Sequence, residues 1–388
     1  MQDELRSISL VENWMLNSGI QNISENKLFR GGFNSWFDTE KKYYPFIYSE
    51  ITGYGITTLL FLNSMYKKSV LVSRAKLAAD WIIANALNES GGVKTRLYYD
   101  SGNEDKQYSF NNGMIYAFDS GMILTGLVNL YNETRDSKYL EASKRIADFL
   151  VDCMISKEGH IFPMYNPSEK TTAVTYDKWS TQFGSFHSKI FIGLLKLSEA
   201  IKSDKYADAV SKSLKNIFDF QRNDGRFITD TKTGKTHLHP HLYSAEGLLY
   251  AGIKTNDQKL IDKSANAIKW LMDNQPHDFS IPQVFLKDGF IKYERYDVVS
   301  QFVRLGSFFI QNNYIDIDYQ KNIDTAAKKL LSMQNTNGQQ NGGFFYGFDE
   351  TGKMLQHLNS WCTMFAVQAM DFYHKLKNNK TIKIDFLI

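Results

Sequence analysis

Cysteine is scarce in this chain: its 388 residues include only two, Cys153 and Cys362. Both fall in apolar helical patterns, which excludes a disulfide framework and reads as two buried free thiols. An excess of charge of one sign is also missing, since 45 basic against 42 acidic residues leave a net charge of +3. With no basic cluster interleaved with aromatics, nucleic acid is not an expected partner. No apolar run is long enough to span a bilayer, so no membrane span is expected. The opening, MQDELRSISL, lacks a basic segment followed by an apolar one, so no signal peptide is expected and the chain reads as a cytoplasmic protein. No cofactor is expected, and nothing in the sequence speaks to an oligomeric state.

What is present is a large apolar fraction, 43%, and an aromatic share of 14% that is mostly Tyr and Phe. One arrangement recurs along the chain. Residues 118–131 (FDSGMILTGLVNLY) place Asp119 at the start of a helix that is apolar nearly all round. Residues 48–62 (YSEITGYGITTLLFL) do the same with Glu50, and further copies begin near His187, Tyr243, Asp297 and Asn359. A helix that is apolar on every face is a buried helix. Each but the last is followed by an amphipathic segment: 69–87, 136–153, 203–220, 257–274 and 320–333. Asp136 or Ser137 is a plausible N-cap for the second of these. The period is roughly 55 to 70 residues, long for a helical repeat but suited to hairpins with long functional loops.

The last buried helix, 359–373, has no amphipathic partner after it, and the first amphipathic helix, 5–19, has no buried partner before it. Pairing the two closes a ring. The expectation is therefore an all-α toroid of six helical hairpins, a single domain over 1–388 closed by its N-terminal helix, with a tail at 376–388. An open array would need polar capping repeats at its ends. The long loops before the buried helices hold the aromatics, among them Trp36, Tyr43, Tyr44, Tyr98, Tyr99, Trp179, Tyr293, Tyr296, Phe345 and Tyr346, and long loops in compact folds are commonly functional. Aromatic faces with carboxylates and amides suit a sugar ring. Loop packing alone is the plain alternative.

Asp119 and Glu50 are the expected catalytic pair. Each lies in the first turn of a buried helix, where the helix dipole lowers a carboxyl pKa and burial raises it. Cleavage of a glycosidic bond needs an acid and a base across the bond. In HLHPHLYSAE, His241 and Glu246 are expected to reach the cavity as a general base and a hydrogen-bonding group. The alternation of His237, His239 and His241 also suits a metal, but no carboxylate or cysteine shares that run and no metal is expected. His187 reads either as a substrate contact or as a satisfied core histidine. Asp297, Gln301 and Arg304 share one helix face. Arg304 either clamps a substrate carboxylate or forms an internal salt bridge with Asp297. Tyr54, Tyr98 and Trp179 complete the expected substrate contacts.

On SEITGYGITTLL, FDSGMILTGL, HLHPHLYSAEGLL and DVVSQFVRL, the chain resembles the six-hairpin (α/α)6 toroids of carbohydrate enzymes, which include unsaturated glucuronyl hydrolases and N-acylglucosamine 2-epimerases. Its nearest resemblance is to proteins associated with polysaccharide gene clusters. In unsaturated glucuronyl hydrolases an aspartate in a D-x-G context donates the proton, and Asp119-Ser120-Gly121 fits that pattern. The second acid of that family has no counterpart, because His187 stands at the corresponding helix start. Epimerases of this fold use paired histidines, a role the resemblance offers to His187 and His241. The resemblance implies a glycoside hydrolase acting on an oligo- or polysaccharide, with Arg304 favouring an acidic sugar. A sugar epimerase and a non-catalytic glycan-binding protein of polysaccharide biosynthesis are the alternatives. Terpenoid cyclases share the toroid, and their Q-x-x-G-type loops echo in 221–227 and 334–345. Phe replaces the tryptophan of that motif, and no aspartate-rich motif is present.

Overall fold

The computed structural model describes residues 3–99 and 113–388. Residues 100–112, in one of the long loops before the buried helices, lie outside the described residues. Among the described residues are twelve α-helices: α1 (Asp3–Asn17), α2 (Ser49–Tyr66), α3 (Ser69–Trp81), α4 (Ala117–Thr134), α5 (Ser137–Phe149), α6 (Phe191–Ile201), α7 (Lys205–Phe218), α8 (Leu238–Thr255), α9 (Gln258–Asp273), α10 (Tyr296–Gln311), α11 (Gln320–Ser332) and α12 (Ser360–Lys377). They fall into two compact units. One comprises Met1–Ser18, Trp36–Tyr43 and Phe220–Asp385, and carries α1 and α8 to α12. The other comprises Gly19–Ser35, Tyr44–Asp219 and Phe386–Ile388, and carries α2 to α7.

In the α2–α7 unit, buried and amphipathic helices alternate. Every residue from Ser49 to Asn63 of α2 and from Ala117 to Leu130 of α4 is buried. α7, by contrast, buries only Tyr206, Ala209, Val210, Ser213 and Ile217, a stripe at helical spacing. Glycine lets α2 and α4 approach closely. A Cβ on Gly126 would sit 2.6 Å from the Gly53 carbonyl oxygen, and one on Gly53 would sit 2.8 Å from the Ile123 Cα. α2, α4 and α6 each end on a left-handed residue, Lys67, Arg135 and Lys202, which turns the chain sharply into its partner helix. Asp136 then caps α5 by accepting from the Lys138 amide.

The expectation of two buried thiols is half corrected here. Cys362 is buried, but Cys153 is exposed. A π-helical turn over Leu150–Met154 ends α5, and this wider turn sends Leu150 and Met154 inward and Cys153 out.

The α1/α8–α12 unit is built on α8, α10 and α12. α10 packs on both α8 and α12, α9 covers α8, α11 lies mainly on α10, and α1 lies on α12. Lys377 reaches Glu4 at 2.7 Å, and Trp14 Nε1 donates to Gln340 Oε1 at 3.0 Å.

The loops before the buried helices are not irregular throughout; many of them form short antiparallel strands. Phe46–Tyr48 pairs with Arg96–Tyr98, and Ile115–Tyr116 with Met164–Asn166. Thr236–His237 pairs with Val284–Leu286, and Trp36–Asp38 with Met354–Asn359. Phe46–Tyr48, Ile115–Tyr116, Thr236–His237 and Met354–Asn359 run directly into α2, α4, α8 and α12, so the strand fixes which side chain of the first helical turn faces which way.

A repeated backbone device docks these loops. Gly31, Gly91, Gly159, Gly225 and Gly342 all have left-handed φ, between +90° and +108°. A Cβ at any of them would come within 2.0–2.5 Å of a helix carbonyl oxygen, of Leu77, Arg145, Lys212, Asn266 and Leu10 respectively. After Gly31, Gly225 and Gly342 the amide two residues later is caught by the fourth residue of a buried helix. Phe33 donates to Thr52 Oγ1 at 3.0 Å, Phe344 to Thr363 Oγ1 at 2.9 Å, and Phe227 to His241 Nδ1 at 3.2 Å.

Candidate active site

The second and third residues of the buried helices carry the polar groups. In the α2–α7 unit these are Glu50 on α2 and Asp119 on α4, both buried. Burial first, and then the charge of Glu50, push Asp119 well above the usual carboxylate range. Arg96 and the Thr95 hydroxyl act against that shift without reversing it. Glu50 is raised as well, again by burial, though Tyr48, Lys189, Tyr54 and Arg96 all favour its ionised form. Among the described residues Asp119 Oδ2 has no hydrogen-bond partner. This is the arrangement in which one carboxyl of a pair stays protonated while the other ionises.

Two cations surround the pair. Arg96, at the start of its strand, lies over the rings of Phe46 at 4.9 Å and Tyr48 at 5.0 Å. Lys189 is buried with its Nζ 5.1 Å from the centre of the Tyr54 ring. Tyr54, one turn beyond Glu50, hydrogen-bonds that carboxylate. Tyr98 packs its ring 5.1 Å from Phe46, beside Arg96. Trp179 meets the buried Phe186 edge-on at 5.0 Å and is half-buried. His187 sits in the 3₁₀ segment Ser185–Ile190 that leads into α6. Its Nδ1 lies 3.2 Å from the Gly184 carbonyl, and burial lowers its pKa to about 3, so the ring is neutral. Tyr99 belongs to loop packing: its hydroxyl donates to Asn34 at 2.6 Å and its ring lies 4.6 Å from Phe29.

In the α1/α8–α12 unit, three expected site residues are corrected. His241 is not a cavity base. Its Nδ1 accepts from Phe227 and its Nε2 lies 3.1 Å from the Ala267 carbonyl on α9, so both nitrogens are spent on backbone. Burial holds it neutral, at about 4. Arg304 and Glu246 are not substrate contacts either. They pair with each other at 2.7 Å, both fully buried, and Arg304 also donates to Gln368 Oε1 at 2.7 Å. Nor does Arg304 reach Asp297. Asp297 is held by Arg295 (Nη2 at 2.6 Å, Nε at 3.2 Å) and by Trp361 Nε1 at 3.1 Å. His239 Nδ1 lies 3.1 Å from the same carboxylate. Burial by itself would raise Asp297, but Arg295 and His239 outweigh it and hold it below the usual range. The same His239 Nδ1 lies 3.0 Å from Gln301 Nε2, so carboxylate and amide both bear on that nitrogen.

His239, Arg295, Trp361, Arg96 and Lys189 were not singled out as site residues from the sequence. A usable signal was there for two of them. Counted from the helix start, Glu50, His239, Asp297 and Trp361 all occupy the second helical position, whereas His241 occupies the fourth with Thr52 and Thr363. Among the described residues no three His, Cys, Asp or Glu side chains are placed to hold a metal ion. No described helix is long and apolar enough to cross a membrane.

Residues 60–226 match the model of glycosyl hydrolase family 76, a span that contains Asp119, Arg96 and Lys189 but not Glu50. No curated protein shows significant sequence similarity to the chain. Solved structures share its fold over nearly the whole length. Cellobiose 2-epimerase from Bacillus thermoamylovorans superposes with a TM-score of 0.73 at 10% identity, over 90% of this chain and 93% of its own. A D-mannose isomerase gives 0.75 at 13% identity, over 97% of each chain. An unsaturated glucuronyl hydrolase specific for heparin gives 0.71 at 14% identity, over 98% of this chain and 99% of its own. The fold is the six-hairpin (α/α)6 toroid. With the glycosyl hydrolase match, the chain is a carbohydrate-active enzyme of that fold.

Proposed function

We propose that this enzyme cleaves a glycosidic bond in an oligo- or polysaccharide, with Asp119 as proton donor and Glu50 as its ionised partner. The observation that carries this reading is the burial of two first-turn carboxyl groups, Asp119 and Glu50, with burial and the charge of Glu50 holding Asp119 well above the usual carboxylate range. A protonated Asp119 gives its proton to the departing glycosidic oxygen as the C–O bond breaks. Glu50, kept ionised by Tyr48, Tyr54 and the nearby cations, serves on the sugar side, either on a water molecule or on the anomeric carbon. Its match to a glycosyl hydrolase family over the segment containing Asp119 supports the same reading.

The test is turnover of a panel of manno-, gluco- and uronate-containing oligosaccharides by wild type and by Asp119→Asn. The variant keeps size and polarity but cannot deliver a proton, so cleavage should fall at least about a hundredfold with glycan binding retained. Near-normal cleavage by Asp119→Asn would overturn the assignment. Exchange of a carbon-bound sugar proton with deuterated water, without cleavage, would instead favour sugar epimerisation.

A further inference from the structure

Glycines in the α2–α7 unit bring the starts of α2, α4 and α6 together, and a lysine from the third reaches a carboxyl group on the first. A Cβ on Gly121 of α4 would lie 2.7 Å from Ile190 Cγ1, and one on Gly193 of α6 would lie 2.9 Å from Thr125 Oγ1 on α4. Ile190 is thus seated on α4 two residues beyond Asp119, and Lys189 precedes it at the end of the segment Ser185–Ile190. From there Lys189 crosses to α2, where its Nζ lies 5.1 Å from the centre of the Tyr54 ring. Tyr54 follows Glu50 by four residues, so the two share a helix face, and it hydrogen-bonds that carboxylate. Ammonium, ring and carboxylate form one group.

A lysine in this place needs a reason. Its side chain is fully closed to solvent, and a methionine of similar length would fill the space without a charge. Burying an ammonium is costly unless an opposite charge attends it. Glu50 is the acid that Lys189 bears on, together with Tyr48 from the preceding strand, Tyr54 from α2 and Arg96 from the neighbouring strand. Asp119 is faced by Glu50, Arg96 and Thr95, and Tyr116 lies close to it. Lys178 bears on Arg96. Arg96 favours ionisation of both carboxyl groups and does not choose between them, whereas Lys189 stands with Glu50.

We propose that Lys189 is a positioning residue of this site: its ammonium, held over the Tyr54 ring, keeps the negative charge of the carboxyl pair on Glu50 and leaves the proton on Asp119. The inference rests on the cleavage reading, which needs one acid protonated and the other ionised. Without the ammonium the two carboxyl groups share one proton more evenly, and the fraction of enzyme poised for cleavage falls.

The experiment uses the full-length chain labelled with ¹³C at its Asp and Glu side-chain carboxyls, with Glu50→Gln and Asp119→Asn serving only to assign the two signals. An NMR titration then reads the order of ionisation without any substrate. In wild type Glu50 should titrate before Asp119. In Lys189→Met and Lys189→Gln, Glu50 should titrate about one pH unit or more higher. Where a glycoside is cleaved, the acidic limb of the kcat/KM profile should rise with it, costing about tenfold in rate on that side, while the alkaline limb moves less. A lysine that only filled space would, when replaced, lower the rate alike at every pH. An Asp119 that ionises before Glu50 in wild type overturns the proposal, a result that needs no variant to fold. So does a Glu50 titration left unmoved in a folded Met or Gln variant. A Glu50 signal that shifts while the limbs stay put, or a chain that cleaves no glycoside, counts against the cleavage reading instead and leaves the placement of the charge standing.

Discussion

Asp119 releases its proton late because it is shut away beside a second carboxyl group. Unfolded, it would lose that proton near pH 4. Between that point and its higher folded value the native state holds more protons than the unfolded chain, so its contribution to stability falls as pH rises. Asp119→Asn removes this cost. Its melting temperature should exceed that of wild type near pH 8, by an amount on the order of a few degrees, and match it near pH 4. A variant less stable than wild type at pH 8 would show that the carboxylate is well accommodated in the fold. Arg96 works against the raised value. Arg96→Met should therefore move the alkaline limb of the pH–rate profile upward, and an unmoved limb would mean that Arg96 does not act on the acid. The Glu246–Arg304 pair makes a separate case. Removing one partner leaves an uncompensated buried charge, so Glu246→Gln or Arg304→Met alone should cost about 3 kcal/mol or more in a urea melt. Glu246→Leu combined with Arg304→Met should recover most of that loss.

At the scale of the helix, position within the first turn decides what a polar residue does. His239 and His241 are two residues apart in one histidine-rich run, yet one faces Asp297 and the other the α9 backbone. Thr52 and Thr363 do in α2 and α12 what His241 does in α8. His241→Thr should consequently fold and keep the Phe227 amide bonded. The smaller side chain leaves a void beside Trp270, so the variant should be less stable by about 1–2 kcal/mol at pH 7.5. The pH dependence should move the other way. A histidine with a folded pKa of about 4 loses stability as pH falls below its unfolded value near 6.5, and threonine does not. The gap between variant and wild type should accordingly narrow toward pH 5, and a gap independent of pH would show that His241 is not held neutral. Periodicity made the alternation of buried and amphipathic helices readable to within two or three residues at most ends, because burial on all faces leaves an unbroken apolar run. The Asp119–Glu50 pairing was readable for the same reason: an acid opening such a run has nowhere to go but inward. What periodicity does not encode is the phase in which a strand hands the chain to a helix. That phase separated His239 from His241, and it sent Arg304 sideways to Glu246 instead of to Asp297. Arg96 and Lys189 were hidden by their setting, a two-strand ladder and a 3₁₀ turn, neither of which has a helical period to betray which side is buried.

At the scale of the molecule, α1 packs on α12, the helix farthest from it along the chain. Gly342 docks on the Leu10 carbonyl as Gly31 docks on Leu77, and Gln334 Nε2 donates to the Ser7 carbonyl at 3.1 Å. Deleting residues 1–18 should strip the cover from α12 and lower the melting temperature by about 10 °C or more, read by scanning calorimetry. A deletion variant melting like wild type would make α1 an appendage. The placement of α1 also sets a timetable for synthesis. Gln340, the hydrogen-bond partner of Trp14, follows it from the ribosome 326 residues later. At about 5–20 residues per second, that is a wait of roughly 15 to 65 s. Through that interval Ile8, Val11 and Trp14, buried in the finished protein, have no α12 to cover them. Helix α1 is thus made long before the helix that covers it, and until then the nascent chain carries an uncovered apolar stripe of the kind chaperones hold.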